Sequence, residues 1–244
     1  MTIKVAVVGA TGRMGKLALE LIDAAQDLTL HAALDSKSEL TQVLGADVVL
    51  DVTLPDVSPT VVKFCVENGL KVVVGTSGWS AAKLAQVEAQ LKSAPASAAV
   101  VIIPNFSIGS MLASKFAALA APYFESIEIV EAHHAGKIDS PSGTAVRTAE
   151  MIGSARAELT QPLIPGVGQE ARGQVVAGVP IHSMRLAGVS AKQEVYFGGV
   201  DEVLTISHDA MSTKAYTQGI LRCLRKAPSM AGLSVGLQAV IEGN

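Results

Sequence analysis

The chain has 244 residues, of which 49% are hydrophobic and 17% charged, enough apolar material for one large or two small cores and too little charge for a disordered chain. A net charge of −3 leaves no basic surplus to neutralise a phosphate backbone, so nucleic acid is not an expected partner. An acidic small molecule remains open as a ligand, because a local pocket can be basic within an acidic protein.

Met1–Lys4 runs directly into an apolar stretch, and no signal peptide is expected. Ile3–Val8 reads as a strand and Met14–Ala25 as a helix, followed by strands at Leu28–Leu34 and Val48–Val52. Ser58–Asn68 reads as a helix, with Asn68–Gly69 as a left-handed stop. A strand follows at Lys71–Val74, then a helix capped by Ser80 and running to Ser93, then a strand at Ala98–Ile103. The uncharged stretch from Ser93 to Ser114 is interrupted by Pro95, Pro104 and Asn105, so it reads as a buried strand and loop and not as a membrane span. Strands alternating with helices imply a parallel sheet with crossover helices.

Past Pro104 the rhythm changes. Met111–Ala121 reads as a helix stopped by Pro122, Ile127–His133 as a strand and Thr144–Ala157 as a helix. Glu158–Gly178 is rich in Gly, Pro and Gln and reads as a long loop. Three strand-like runs then follow one another, Ile181–Leu186, Glu194–Phe197 and Val203–His208, which suggests an antiparallel or mixed sheet. Lys214–Lys226 reads as a closing helix. The expected architecture is α/β: a Rossmann-type doubly wound parallel sheet over residues 1–106, completed by 214–244, with a second α+β domain over 107–213. With Cys65 and Cys223 as the only cysteines, no disulfide framework is expected, and a reducing, cytoplasmic setting is.

The first chemical signal is the turn after the first strand, Gly9-Ala10-Thr11-Gly12-Arg13-Met14-Gly15. A dinucleotide-binding turn must bend sharply, let pyrophosphate approach the backbone and bring helix close to strand, and each demand favours glycine. The following helix start offers N–H groups and the positive end of its dipole. The spacing is G-x-x-G-x-x-G instead of the commoner G-x-G-x-x-G, and its position gives it weight. Asp35 ends the second strand twenty residues after Gly15, the place of an acid that accepts hydrogen bonds from a ribose. Asp35 favours NADH, while Arg13 and Lys37 are cations able to pair with a 2′-phosphate, so use of NADH and NADPH is expected. The loops Gly75-Thr76-Ser77-Gly78 and Ile103-Pro104-Asn105-Phe106 follow later strands at the same expected sheet edge. Their backbone groups could hold the nicotinamide half, although ordinary turn chemistry explains such residues equally well.

The densest polar cluster is Glu131–Thr144, which leaves a strand and enters a helix. His133, His134 and Lys137 bring positive charge and exchangeable protons. Ser142, Gly143 and Thr144 form a hydroxyl-rich helix start that can present N–H groups to a carboxylate. Adjacent histidines on a strand face opposite sides, so both reach one pocket only where the strand ends. No accompanying residues have recognisable zinc-ligand spacing, so no metal is expected. His182 and His208 are isolated and read as strand residues.

Together, Val7–Gly15, Gly75–Gly78, Pro104–Gly109 and Glu131–Thr144 make the sequence resemble the 4-hydroxy-tetrahydrodipicolinate reductase (dihydrodipicolinate reductase) family across nearly its whole length. The most specific part is H-H-x-x-K-x-D-x-P-S-G-T. Here Ser140 stands where that family usually has Ala, and Ala135-Gly136 where larger polar residues are frequent. The resemblance implies a homotetramer built by the second domain, and catalysis in a cleft between the domains on a small dicarboxylate. It implies proton transfer by His133 and Lys137, and substrate binding by His134 and the Gly143-Thr144 turn. It further implies coenzyme binding by Gly9–Met14, Asp35, Gly75–Ser77 and Ile103–Phe106.

Rival readings fare less well. An aspartate-semialdehyde-dehydrogenase-like enzyme needs a cysteine nucleophile beside a base, and neither Cys65 nor Cys223 has a histidine nearby in sequence. Gly75-Thr76-Ser77-Gly78-Trp79 lacks the last glycine of the hydrolase elbow. A non-catalytic NAD(H) sensor would have no need of the Lys137 loop.

Overall fold

A computed structural model describes residues 2–159 and 164–242. The chain divides into two compact units, Met1–Ile108 with Thr213–Asn244, and Gly109–Ser212.

The first unit is built on six parallel strands: β1 (Ile3–Val8), β2 (Leu28–Leu34), β3 (Val48–Asp51), β4 (Lys71–Val74), β5 (Ala99–Ile102) and β11 (Gly232–Val235), in the order β11-β5-β4-β3-β1-β2. The helices are α1 (Arg13–Ala24), α2 (Ser58–Glu67), α3 (Ala81–Ser93), α6 (Thr217–Lys226) and α7 (Leu237–Glu242). Every residue of β3 and β5 is buried, which is why these strands read as unbroken Val- and Ile-rich runs instead of alternating ones. Ala6, Val8, Val49, Val72, Val74, Val100 and Ile102 pack with Val61, Val62, Cys65 and Val66 of α2 and Val87 of α3. Val5, Val7, Leu50 and Val101 alternate with them, are equally buried, and point to the opposite face. The chain leaves β1 for β2 on one side and then returns to β3 on the other, so a topological switch lies between β1 and β3.

Several expected boundaries agree in detail. Ser80 caps α3 by accepting from the Lys83 N–H, and Gly69 adopts φ +68° after α2. The closing helix differs from expectation: Thr213–Tyr216 is a 3-10 turn, and α6 begins only at Thr217. The tail also adds β11, paired in register with β5, and the Lys71 ammonium donates to the Met230 carbonyl at 2.6 Å.

The second unit holds a five-stranded mixed sheet of β6 (Ser126–His134), β7 (Gln174–Val176), β8 (Val179–Leu186), β9 (Ala191–Gly199) and β10 (Glu202–Ala210), in the order β10-β9-β6-β8-β7. β6 and β8 are parallel; the other pairs are antiparallel. Helices α4 (Ile108–Ala120) and α5 (Gly143–Ala155) supply Ala117, Ala145, Ala149 and Ile152 to a core with Ile127, Ile129, Ile181, Val195 and Phe197. The opposite sheet face is open and carries Glu128, His182, Met184, Tyr196 and Val203. The expected loop Glu158–Gly178 requires correction. Residues 160–163 lie outside the described residues, and Gln174–Val176 forms β7 on the edge beside β8. α4 starts at Ile108, before the expected Met111, and Pro122 lies in a 3-10 turn, Ala121–Tyr123.

Arg156, which ends α5, is buried and donates from one guanidinium nitrogen to the Ala121 carbonyl at 2.5 Å and the Phe124 carbonyl at 2.7 Å. Replacing Arg156 by Met keeps the stem and strands these acceptors. We expect a loss of about 2 kcal/mol and a melting temperature lower by roughly 4–8 °C in thermal unfolding.

Candidate active site

The turn after β1 lies at the topological switch. Gly9 has φ +90°, and a Cβ there would stand 2.7 Å from the Val52 carbonyl oxygen. The Gly9 and Ala10 N–H groups donate to the Leu34 carbonyl at 3.0 and 2.9 Å, which ties the turn to the end of β2. Gly12 is the N-cap of α1 and makes no side-chain cap hydrogen bond, so the first turn of the helix keeps donors for an anion. Thr11, Gly12 and Arg13 are exposed and Met14 is half-buried.

Asp35 follows β2 directly. Its Oδ1 accepts from the Lys37 N–H and the Ser38 hydroxyl, both at 2.9 Å. The Lys37 hydrogen bond, with Ser38 behind it, holds the carboxyl below the usual carboxylate range, so Asp35 is ionised at neutral pH. At the neighbouring strand ends, a Cβ on Gly75 would meet the Phe106 ring at 2.5 Å and Val52 at 3.2 Å. The Gly75 and Phe106 loops are therefore packed together, and only glycine permits it. The Thr76 hydroxyl donates to the Thr53 carbonyl at 3.2 Å, the Ile103 N–H to the Val74 carbonyl at 2.8 Å, and the Ser107 N–H to the Asn105 side-chain oxygen at 2.8 Å. Ser77 and Pro104 lie in the same two loops and are exposed. One carboxylate here had no advance signal. Asp51 at the end of β3 is buried, and burial pushes its carboxyl up while Ser58 and Thr53 donate to it.

In the second unit, His133 and His134 are the last two residues of β6. Strand alternation puts Glu131 and His133 on the face covered by α5, and His134 on the other face at the point where the strand ends. The His134 ring lies 3.6 Å from where a Cβ on Gly136 would stand, and the Lys137 N–H donates to the His134 carbonyl at 3.0 Å. The Lys137 ammonium donates to both Asp139 carboxylate oxygens at 2.7 Å. That pairing outweighs the opposing effect of burial and lowers the Asp139 carboxyl.

Ser142 is the N-cap of α5; its Oγ accepts from the Ala145 N–H at 3.2 Å. Gly143 is the first helical residue, exposed and with open space where a side chain would be. Its N–H lies outside the helix's own ladder and can meet an anion. Thr144 follows, its carbonyl accepting from the Thr148 hydroxyl at 2.9 Å.

Beneath this loop lies a carboxylate whose role is not evident from the sequence alone. Glu131 is fully buried and accepts from His133 Nδ1 at 2.6 Å, from two Arg185 nitrogens at 3.0 Å each, and from the Ser142 N–H at 3.1 Å. Arg185 was absent from the expected site. A glutamate at an inward position of an alternating strand is a sequence signal for a buried partner, but nothing local says which residue that partner is.

The Cys65 and Cys223 thiols are buried and pushed up to about 12 by burial, so both are protonated. Among the described residues no group of three or more metal-binding side chains occurs, and no helix is long and apolar enough to cross a membrane. His182 and His208 lie in β8 and β10, and His182 pairs with Glu128 at 2.7 Å.

A glycine turn at the switch point of a parallel sheet, with an acid ending the next strand and a mixed-sheet unit set into the chain, defines a Rossmann-type nicotinamide-nucleotide oxidoreductase. Residues 3–106 match the family described as dihydrodipicolinate reductase, N-terminus, and residues 109–241 its C-terminus counterpart. The chain belongs to the dihydrodipicolinate reductase family. It is 53% identical to the 4-hydroxy-tetrahydrodipicolinate reductase of Clavibacter sepedonicus over 99% of this chain and 87% of that one. With the enzyme of that name from Mycolicibacterium smegmatis it shares 44% identity over 98% and 99% of the two chains. The dipicolinate-bound dihydrodipicolinate reductase from Paenisporosarcina sp. TG-14 superposes with TM-score 0.78 at 32% identity, covering 99% of this chain and all of that one.

Glu131 also sets an acid limit. Burial raises its carboxyl, but hydrogen bonds from His133, Arg185 and Ser183 outweigh burial and hold it at about 2. A carboxyl depressed in the fold stabilises it above the unfolded value of about 4.3. That stabilisation is lost as pH falls from there through about 2. In acid titrations followed by circular dichroism, wild type should lose stability more steeply below about pH 4.3 than Glu131→Gln, which lacks this titration.

Proposed function

We propose that this protein reduces 4-hydroxy-2,3,4,5-tetrahydrodipicolinate to 2,3,4,5-tetrahydrodipicolinate and water with NADH or NADPH, in the route to diaminopimelate and lysine. The observation that carries this reading is the loop from His133 to Gly143, where an imidazole, an ammonium and an open helix start lie together on the second unit.

The substrate loses its ring hydroxyl as water, leaving a C=C bond conjugated with the ring imine. When bound, the reduced nicotinamide supplies a hydride to the ring carbon distal to the imine. The C=C electron pair moves toward the ring nitrogen, and the carbon beside the imine carbon takes a proton, which restores C=N. Lys137 supplies that proton. Its ammonium already donates twice to Asp139, so a substrate carboxylate competes for a cation held in place. His133 exchanges protons with the site through its outer nitrogen. The Gly143 N–H, with Ser142, Thr144 and His134, receives the substrate's carboxylates.

The coenzyme residues are Gly9, Ala10, Thr11, Gly12, Arg13 and Met14 around the pyrophosphate and Asp35 at the ribose. Gly75, Thr76, Ser77, Ile103, Pro104, Asn105 and Phe106 serve the nicotinamide half. Support comes from the Gly9 conformation and the uncapped start of α1, which suit a phosphate against backbone. The open face of the second sheet supports assembly of a homotetramer through that face. Two buried, protonated thiols suit the reducing cytoplasm.

Lys137→Ala should lower kcat by about 10²–10⁴-fold, with NADH affinity nearly unchanged. The measurement is NADH absorbance in an assay coupled to the upstream synthase with pyruvate and aspartate semialdehyde; undiminished turnover would exclude Lys137 as the proton donor. In the same assay, the ionised Asp35 works against a 2′-phosphate while Arg13 and Lys37 favour it, so kcat/KM should be comparable for the two coenzymes. A preference for NADH above roughly a thousandfold, about 4 kcal/mol, overturns dual use.

A further inference from the structure

Glu131 has its two carboxylate oxygens fully engaged, and most of its donors come from segments carrying a proposed site residue. Oε2 accepts from His133 Nδ1 at 2.6 Å and from Arg185 Nη1 at 3.0 Å. Oε1 accepts from Arg185 Nη2 at 3.0 Å and from the Ser142 N–H, at the start of α5, at 3.1 Å. An ionised carboxylate can only accept, so the hydrogen in the His133 contact belongs to Nδ1. Nε2 is then the one ring nitrogen able to gain or lose a proton.

Arg185 sits beside His133 in the parallel pairing of β8 with β6. Two further donations reach the loop itself, from Nε to the Lys137 carbonyl at 3.2 Å and from Nη2 to the Asp139 carbonyl at 2.6 Å, while Nη1 also donates to the Met184 carbonyl of its own strand at 2.7 Å. One guanidinium thus grips the backbone of Lys137 and of the residue that pairs with the Lys137 ammonium. A buried ion pair gains little net stability over apolar packing of the same volume. Here the arrangement fixes the geometry of three segments, at His133, Lys137 and Ser142.

We propose that Glu131 and Arg185 are positioning residues of the reductase site: Glu131 sets the His133 tautomer with hydrogen on Nδ1, and Arg185 ties the Lys137 loop to the same carboxylate. The proposal rests on the roles given above to His133 and Lys137. Such a network holds the proton-transfer groups before substrate arrives, so that neither must be ordered during the reaction.

The test uses the full-length protein and two variants, Glu131→Gln and Arg185→Lys. An amide at 131 can turn either its oxygen or its NH2 group to the imidazole, so the tautomer is no longer dictated. Lysine at 185 keeps the charge and loses the fork that reaches two carbonyls. Imidazole tautomers are read by two-bond ¹H–¹⁵N correlation on histidine-labelled protein without substrate, with the His133 signals assigned through His133→Asn. Wild type should show hydrogen on Nδ1, and Glu131→Gln a substantial Nε2–H population. Kinetically, Glu131→Gln should lower kcat about a hundredfold or more, as loss of an enforced tautomer does elsewhere, and Arg185→Lys about tenfold or more, each with an NADH Kd within threefold of wild type. If Glu131→Gln does not fold, the Arg185→Lys kinetics and the wild-type tautomer decide. A wild-type tautomer with hydrogen on Nε2 overturns the proposal, as does kcat within threefold of wild type in the variants that fold. Wild type inactive toward the coupled substrate instead refutes the reductase reading, while the tautomer measurement still judges the geometry of Glu131.

Discussion

The parallel sheet of the first unit leaves no water on either side of its central strands, and most of the arrangement at the carboxyl edge of the sheet follows from that constraint. Strands buried on both faces must be joined by crossovers, and crossovers bring the chain out at the same edge each time. The turn after β1, Asp35 after β2, and the Gly75 and Phe106 loops after β4 and β5 share an edge for this reason. The packing there is close enough to select residues: the Phe106 ring occupies the space a side chain at 75 would need.

The second unit is organised around a different necessity, a carboxylate enclosed in protein. Glu131 cannot be buried as an isolated charge, so its neighbourhood must supply donors. Arg185, His133 and the first residue of the α5 cap do so. The positive loop above and the buried anion below balance each other, which lets cationic and proton-bearing groups gather near a helix start that would otherwise disfavour them.

Much of this was legible in the amino-acid order. Glycines after the first apolar run, Asp35 after the second and the His-Lys cluster all sit where local chemistry demands particular residue types. The alternation Ile127, Ile129, Glu131, His133 even marks Glu131 as inward-facing. What was hidden is non-local. Glu131 meets its partner only because β6 lies parallel to β8, with Glu131 opposite Ser183, and no local pattern encodes that pairing. β7 is not legible in the sequence because Gln174-Val175-Val176 is a three-residue edge strand flanked by Gly173 and Gly178, which look like loop punctuation. The 3-10 turn at Thr213–Tyr216 merges in sequence with α6, since no Gly or Pro stands between Thr213 and the start of the helix.

The last strand of the parallel sheet comes from the far end of the chain: β11 pairs with β5 across more than a hundred intervening residues, and Arg225 reaches back to Asp27 at 2.7 and 2.9 Å. The unit encoded by Gly109–Ser212 is continuous, whereas the one that begins the chain is not. During synthesis the ribosome therefore releases everything the mixed sheet needs before it releases the residues that close the Rossmann sheet. The Rossmann sheet therefore cannot be completed before the residues of β11 emerge, and until then the edge of β5 lacks its neighbour.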